Sequence, residues 1–242
     1  IVAIGQKVGG PLLGMLTMVV WALPVLIIMT ALSFLSVFLE RANISNENLR
    51  FIGPMAVGFI AVAGFRIGRK VVKDRFTLIL MSASAIITFF IRTPWIYPLL
   101  LLIGGALAVF RSDEKNIWNR TKLNPPWKPF LFFLFFALGS LLLAGVTHNL
   151  FVQLFEKFYR YGYLVIGGGQ VVVPLMFSEL VEINHFMTGQ EFLTGFGIVQ
   201  GMPGPMFSFA AYAGGMAARG HSILYQIFGA MIGGIGIFLP GL

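Results

Sequence analysis

Ile166-Gly167-Gly168-Gly169-Gln170-Val171-Val172-Val173-Pro174-Leu175 opens a stretch that closes with Gln200-Gly201-Met202-Pro203-Gly204-Pro205-Met206-Phe207-Ser208-Phe209-Ala210-Ala211-Tyr212-Ala213. A short acidic loop and Phe192-Leu193-Thr194-Gly195-Phe196-Gly197-Ile198-Val199 lie between them. The whole is apolar enough for a bilayer, yet glycine and proline break it twice, at Gly167–Gly169 and at Pro203–Pro205. Hydrocarbon does not tolerate irregular backbone unless protein or a water-filled cavity surrounds it, so both breaks are expected to face something polar. The N–H groups at the start of a half-helix are unpaired and carry partial positive charge. They make an anion site that needs no charged side chain.

Working outward, 57% of the 242 residues are hydrophobic and 11% charged, against about 25% charged in a soluble domain. With a mean hydropathy of +0.87, the chain reads as an integral membrane protein. Cysteine is absent, which excludes disulfides, thiolate metal sites and cysteine nucleophiles. Three histidines argue against a multi-histidine metal centre, and no spacing of serine and histidine suggests a triad. Neither an enzyme nor a cofactor or metal is expected. The net charge of +8 belongs to cytoplasmic loops rather than to a nucleic-acid surface, because Lys and Arg accumulate on that side of membrane proteins.

Apolar segments are expected at about Gly9–Leu39, kinked at Pro24, then Phe51–Val72, Phe76–Ile91, Trp95–Phe110 and Pro129–Val146, with a last one at Ser222–Leu242. Roughly 20 apolar residues cross a bilayer. Two strongly basic regions, Arg66–Arg75 and Arg111–Lys128, are separated by two crossings. Both therefore sit in the cytoplasm together, which leaves Glu40–Arg50 and the Arg92-Thr93-Pro94 turn outside. Thr147–Tyr161 is amphipathic and reads as an interfacial helix. Gly162–Leu180 and Gln190–Gly215 read as re-entrant hairpins or pairs of half-helices. The ends, inside a pattern at Ile1 and inside an apolar run at Leu242, do not read as natural termini.

The two ends resemble one another. Gly5, Gly9-Gly10 and Leu23-Pro24 are echoed by Gly214, Gly220 and Leu239-Pro240. The pattern divides the chain into two halves, 1–146 and 147–242, the first without its start and the second without its end. Five crossings between equivalent points invert one half relative to the other, a recurring transporter plan. The expected fold class is thus all-α: a polytopic transmembrane helical bundle with inverted repeats and broken or re-entrant half-helices.

The combination of Gly167-Gly168-Gly169-Gln170-Val171-Val172-Val173-Pro174-Leu175, Phe192-Leu193-Thr194-Gly195, Gln200-Gly201-Met202-Pro203-Gly204-Pro205 and Phe207-Ser208-Phe209-Ala210-Ala211-Tyr212 resembles the chromate ion transporter family. The likeness extends through Gly5-Gln6-Lys7-Val8-Gly9-Gly10 and Gly64-Phe65-Arg66-Ile67-Gly68-Arg69-Lys70. It implies a two-half carrier in the cell membrane that exports chromate, using the proton gradient or the membrane potential. Each half of such a carrier has its own Gly-rich and Pro-Gly-Pro blocks. Here the first-half copies would precede Ile1. The expected partners are chromate or a related oxyanion, the lipid bilayer and, paired about a lipid-facing surface, a second copy in a homodimer. A sulfate or other anion carrier of the same fold is the nearest alternative, and a membrane-embedded enzyme or lipid-handling protein the more distant one.

The candidate substrate-binding residues follow from the breaks. Gly167, Gly168 and Gly169 let backbone approach a tetrahedral oxyanion, where the bland alternative is close helix packing. Gln170 and Gln200 are polar neighbours of the two breaks. Pro203, Gly204 and Pro205 start a new helix near Met206 or Phe207, leaving the N–H groups of Phe207 and Ser208 free beside the Ser208 hydroxyl, unless the motif is only a kink. Tyr212 lies one turn further on the same face. Lys7 and Arg66 are candidate cations, although such residues also snorkel or set topology. Glu179, Glu182 and Glu191, like His148 and His185, are expected in solvated loops, and Arg219 and His221 likewise in a loop.

Overall fold

In the computed structural model, residues 2–41, 51–91, 93, 96–111, 127–165, 169 and 172–241 are described, and they form helices joined by turns, without a strand among them. Most of the Glu40–Arg50 and Arg111–Lys128 loops, with Arg92 and Pro94, lie outside the described residues. The chain divides into two compact units, Gly64–Phe136 on the one hand and Ile1–Ala63 with Ala137–Leu242 on the other.

The unit Gly64–Phe136 holds the end of α2 (Ile52–Val71), α3 (Arg75–Phe90), α4 (Ile96–Arg111) and the start of α5 (Trp127–Val146). Asp74 starts α3: its carboxylate accepts the Thr77 N–H at 3.0 Å, while the Thr77 hydroxyl accepts the Asp74 N–H at 3.3 Å. This reciprocal cap satisfies two N–H groups that the first turn would leave open. No residue of α3 is buried, and α4 buries Ile96 alone. Their apolar side chains face outward, as with Leu102 and Phe110, 73% and 87% exposed. Such a surface is unstable in water and ordinary in lipid.

The larger unit begins with α1, Val2–Arg41, which is two arms rather than one rod. Its dihedrals leave the helix at Gly9 (φ −144°, ψ 22°) and Gly10 (φ +78°, ψ −173°). The left-handed φ of Gly10 suits glycine alone, and Pro11 then starts the long arm, where its missing N–H costs nothing. The short arm folds back on the long one: a Cβ at Gly5 would lie 2.8 Å from Thr17 Oγ1 and 2.9 Å from Gly14 Cα. Gly9 and Gly10 are thus a turn just ahead of the long arm, close to the start that the hydropathy pattern suggests, and a short helical arm precedes them. Around Pro24 the dihedrals stay helical, since a lone proline bends a helix without unwinding it.

The rest of this unit comprises the end of α5, α6 (Leu150–Tyr163), α7 (Val173–Phe177) running into a π-helical turn (Ser178–Ile183), α8 (Gly189–Gln200), a 3₁₀ turn (Met206–Ser208), α9 (Phe209–Ala217), α10 (Ile223–Phe238) and a final 3₁₀ turn (Leu239–Gly241). α9 and α10 form a hairpin that turns at Gly220, φ +90°. Gly214 rests on the Gly229 carbonyl and Gly233 on the Ala210 carbonyl, with no room for a Cβ at either. Small residues at a crossing let two backbones touch, which is how membrane helices gain packing energy.

α6 packs its apolar side on protein, burying Leu154, Phe158, Tyr159 and Tyr161. Gly236 of α10 has Phe158 Cβ 3.1 Å from where its own Cβ would be, and Gly162 lies on the Ile237 carbonyl. The glycines of α10 make a groove in which the apolar stripe of α6 packs. Val2–Phe38, Trp127–Val146 and Ile223–Gly241 are each long and apolar enough to cross a membrane. The protein is an all-α integral membrane protein.

Candidate anion-binding site

The second break lies where the sequence puts it. α8 ends at Gln200, and the N–H groups of Gly201 and Met202 turn back to Ile198 and Val199 at 3.1 and 3.2 Å. Gly204 has φ +149° and presses on the Val25 side chain of α1. Pro205 is extended, and helix resumes at Met206. One detail corrects the sequence expectation. The Ser208 N–H is not free but donates to the Pro205 carbonyl at 3.0 Å, because the new helix opens as a tight 3₁₀ turn, which closes its bonds one residue sooner. At this helix start it is the N–H groups of Met206 and Phe207 that make no hydrogen bond among the described residues. Beside them, the Ser208 hydroxyl is wholly buried and has no hydrogen-bond partner.

The first break meets the second. A Cβ at Gly169 would lie 2.7 Å from Met206 Sδ and 2.9 Å from Phe207 Cζ. A glycine of one break is thus the floor for the first two residues after the other. Gly167, Gly168 and Gln170 lie outside the described residues. The chain resumes at Val172, whose N–H donates to the Gly169 carbonyl at 3.3 Å, and α7 follows with Pro174 in its first turn. The structure therefore brings Gly169 against the side chains of Met206 and Phe207, and Gly204 against Val25.

The other candidates are placed less tightly. Gln200 is half-buried at the end of α8, and Pro203 is exposed. Lys7 is exposed on the short arm of α1. Arg66 is exposed on α2, within the unit Gly64–Phe136. Tyr212, one turn beyond Ser208, donates to the Glu191 carbonyl at 3.2 Å and lies 3.4 Å from Ser36 Oγ of α1. Arg219 is no free loop cation, for it pairs with the Glu191 carboxylate.

A charge network escaped the sequence reading. Glu179, expected in solvent, is 2% exposed. Arg160 donates to it from Nη1 and Nη2 at 2.7 and 3.0 Å, and to Glu156 from Nε at 2.6 Å. The Tyr161 hydroxyl donates to Glu179 at 2.7 Å, and Lys157 Nζ lies 3.8 Å away. The network ties α6 to the π-helical turn. The Glu156–Arg160 pair has the helical i, i+4 spacing and was the one available signal. Glu179 is on another element, so its burial had none.

A separate cavity of about 700 Å³ lies between α1, α9 and α10, lined by Ala22, Leu26, Ala211, Ala230, Gly234 and Phe238 among others. Its walls are apolar but for Thr30, whose hydroxyl already donates to the Leu26 carbonyl at 2.8 Å, so a dianion would lose its hydration there without compensation.

Residues 1–110 and 152–242 match the model of a protein family described as chromate transporter. The chain is 24% identical over 225 residues to a probable chromate transport protein of Synechococcus elongatus, covering 91% of this chain and 53% of that one. It is 22% identical over 198 residues to a chromate transport protein of Cupriavidus metallidurans, covering 78% and 44%. A chromate transport protein of Pseudomonas aeruginosa matches at 28% over 89 residues, 37% of this chain and 20% of the relative. The chain spans about half the length of the first of these relatives, and less of the others. No solved structure matches it.

Proposed function

The chain belongs to the chromate transporter family, and from that premise we propose that it carries chromate, or a tetrahedral oxyanion of like charge, out of the cell across the cell membrane by alternating access. Support comes above all from the meeting of the two breaks. The side chains of Met206 and Phe207 lie against Gly169, and the N–H groups of the same two residues make no hydrogen bond among the described residues, next in the chain to the buried, unpartnered Ser208 hydroxyl. Backbone donors fixed at a helix start hold negative charge without a counter-ion, and neutral donors release a dianion more readily than a buried arginine would.

The proposed site comprises Gly167, Gly168, Gly169 and Gln170 from the first break and Gln200, Pro203, Gly204, Pro205, Phe207 and Ser208 from the second. Lys7 and Arg66 attract the anion toward it from the cytoplasmic side. Two inverted halves, 1–146 and 147–242, rock about it. The idea of a repeat draws on two glycine-turned hairpins, one at Gly10 with φ +78° and one at Gly220 with φ +90°. The membrane potential drives the outward step, since a dianion gains about 4.6 kcal/mol per 100 mV at roughly 2.3 per charge.

The test is flux of isotope-labelled chromate into proteoliposomes under an imposed potential, with the intact protein and with Gly169→Leu and Ser208→Ala. Leucine would fill the space against Met206 and Phe207, so flux is expected to fall to background. Flux equal to wild type in both variants would remove the site from this place. Unlabelled sulfate in the same assay separates a chromate-selective carrier from a general oxyanion carrier.

A further inference from the structure

Each break is followed by the same three residues. Met176-Phe177-Ser178 comes after Pro174, and Met206-Phe207-Ser208 after Pro205. The two serines also end alike: Ser178 is 3% exposed and Ser208 0%. Both are buried hydroxyls without a hydrogen-bond partner, and no other buried side chain among the described residues shares that condition. This is not how helical hydroxyls behave elsewhere in the chain. Thr30, Ser33, Ser140 and Thr147 all donate to a carbonyl one turn back, at 2.6 to 3.2 Å, the usual recourse for serine and threonine in a membrane helix. Ser178 and Ser208 forgo that bond, and a hydroxyl buried without a partner loses its hydration for nothing unless something else occupies the place.

The two serines have linked surroundings. The rings of Phe177 and Phe209, their chain neighbours, both pack edge-on against Phe192, at 5.2 and 4.9 Å between centroids. Ser178 also opens the π-helical turn in which the Asn184 N–H donates to the Glu179 carbonyl at 3.0 Å. Single π turns interrupt the regular side-chain register and recur at functional sites. The adjacent Glu179 would repel an anion if its charge were bare. It is turned instead to Arg160, Tyr161 and Lys157, so an anion beside Ser178 meets a compensated carboxylate.

We propose that Ser178 is a second hydroxyl ligand for the transported oxyanion, the counterpart at the first break of Ser208 at the second. This rests on the oxyanion-carrier reading above. With the N–H groups of Met206 and Phe207 and the Ser208 hydroxyl, Ser178 makes a fourth neutral donor. A hydrogen bond to an ionised oxygen is stronger than one between neutral groups.

The experiment measures initial chromate uptake against concentration in proteoliposomes of the intact protein, for wild type, Ser178→Ala, Ser178→Thr and Ser208→Ala, together with the melting temperature of each in detergent. Ser178→Ala is expected to raise KM about tenfold, the loss of one hydrogen bond to a charged group, and Ser178→Thr to recover most of it. The melting temperature of Ser178→Ala should hold or rise, because an orphan hydroxyl has been removed. An unchanged KM in Ser178→Ala with a raised KM in Ser208→Ala overturns this inference and leaves the carrier reading standing. An unchanged KM in both overturns both. A raised KM in the Ala and Thr variants alike, with a lowered melting temperature, reduces Ser178 to a packing residue and also overturns the inference.

Discussion

Gly204 holds a φ of +149° and faces Val25 with no space between. Gly204→Ala should therefore cost about 1–3 kcal/mol, the usual cost of backbone held in a sparsely populated region, seen as a lowered melting temperature in detergent. Arg160 poses the opposite problem, a buried cation shared by two carboxylates. Arg160→Met strands both charges and should cost about 3–5 kcal/mol, whereas replacing Glu156 and Glu179 by apolar residues as well should recover much of that. A single variant that melts like wild type would show that the network contributes nothing. Ser208 was legible as a site candidate because the proline motif beside it dictates where a helix restarts. Glu179 was not, because nothing in Ser178-Glu179-Leu180 says that an arginine nineteen residues away, on another helix, will cover it.

At the scale of elements, the hairpin of α9 and α10 depends on backbone contact between Gly214 and Gly229. Gly214→Leu should pry it open, and overpacking of a tight core costs about 1–3 kcal/mol or more. The same variant should also lower chromate flux, because α9 carries Ser208 at its start. The cap of α3 gives a pH prediction. Hydrogen bonds from the Thr77 side chain and backbone hold the Asp74 carboxyl below its usual value. A depressed carboxylate pKa stabilises the folded form above the ordinary carboxylate range, and that contribution is lost as pH falls through the lowered value. Amide exchange at Thr77 should thus be protected at neutral pH and lose protection in acid, with no such transition in Asp74→Ala. Helical periodicity made α6 legible as an amphipathic helix. Its partner was not, since the same stripe suits a lipid interface and the glycine groove of α10 equally well.

For the whole molecule, the proposed carrier must follow voltage. If a dianion moves without compensating protons, 100 mV should sustain a chromate gradient on the order of 10³-fold, from about 4.6 kcal/mol. Flux that is insensitive to an imposed potential but follows a pH gradient would assign the driving force to protons instead. The helical membrane class was readable from composition and run lengths alone.

The sequence by itself determined the helical, lipid-facing character of this protein and the positions where its helices give way. Those properties arise from each residue acting on its own stretch of backbone: apolar runs partition into lipid, glycine permits a left-handed turn at Gly10 and Gly220, and proline ends or restarts a helix at Pro203 and Pro205. Only the tertiary structure decided that Gly169 meets Met206 and Phe207, that Ser178 and Ser208 are left without partners, and that Arg160 clasps Glu179. Each of these is a contact between distant parts of the chain, and such contacts depend on the packing of whole helices rather than on local chemistry.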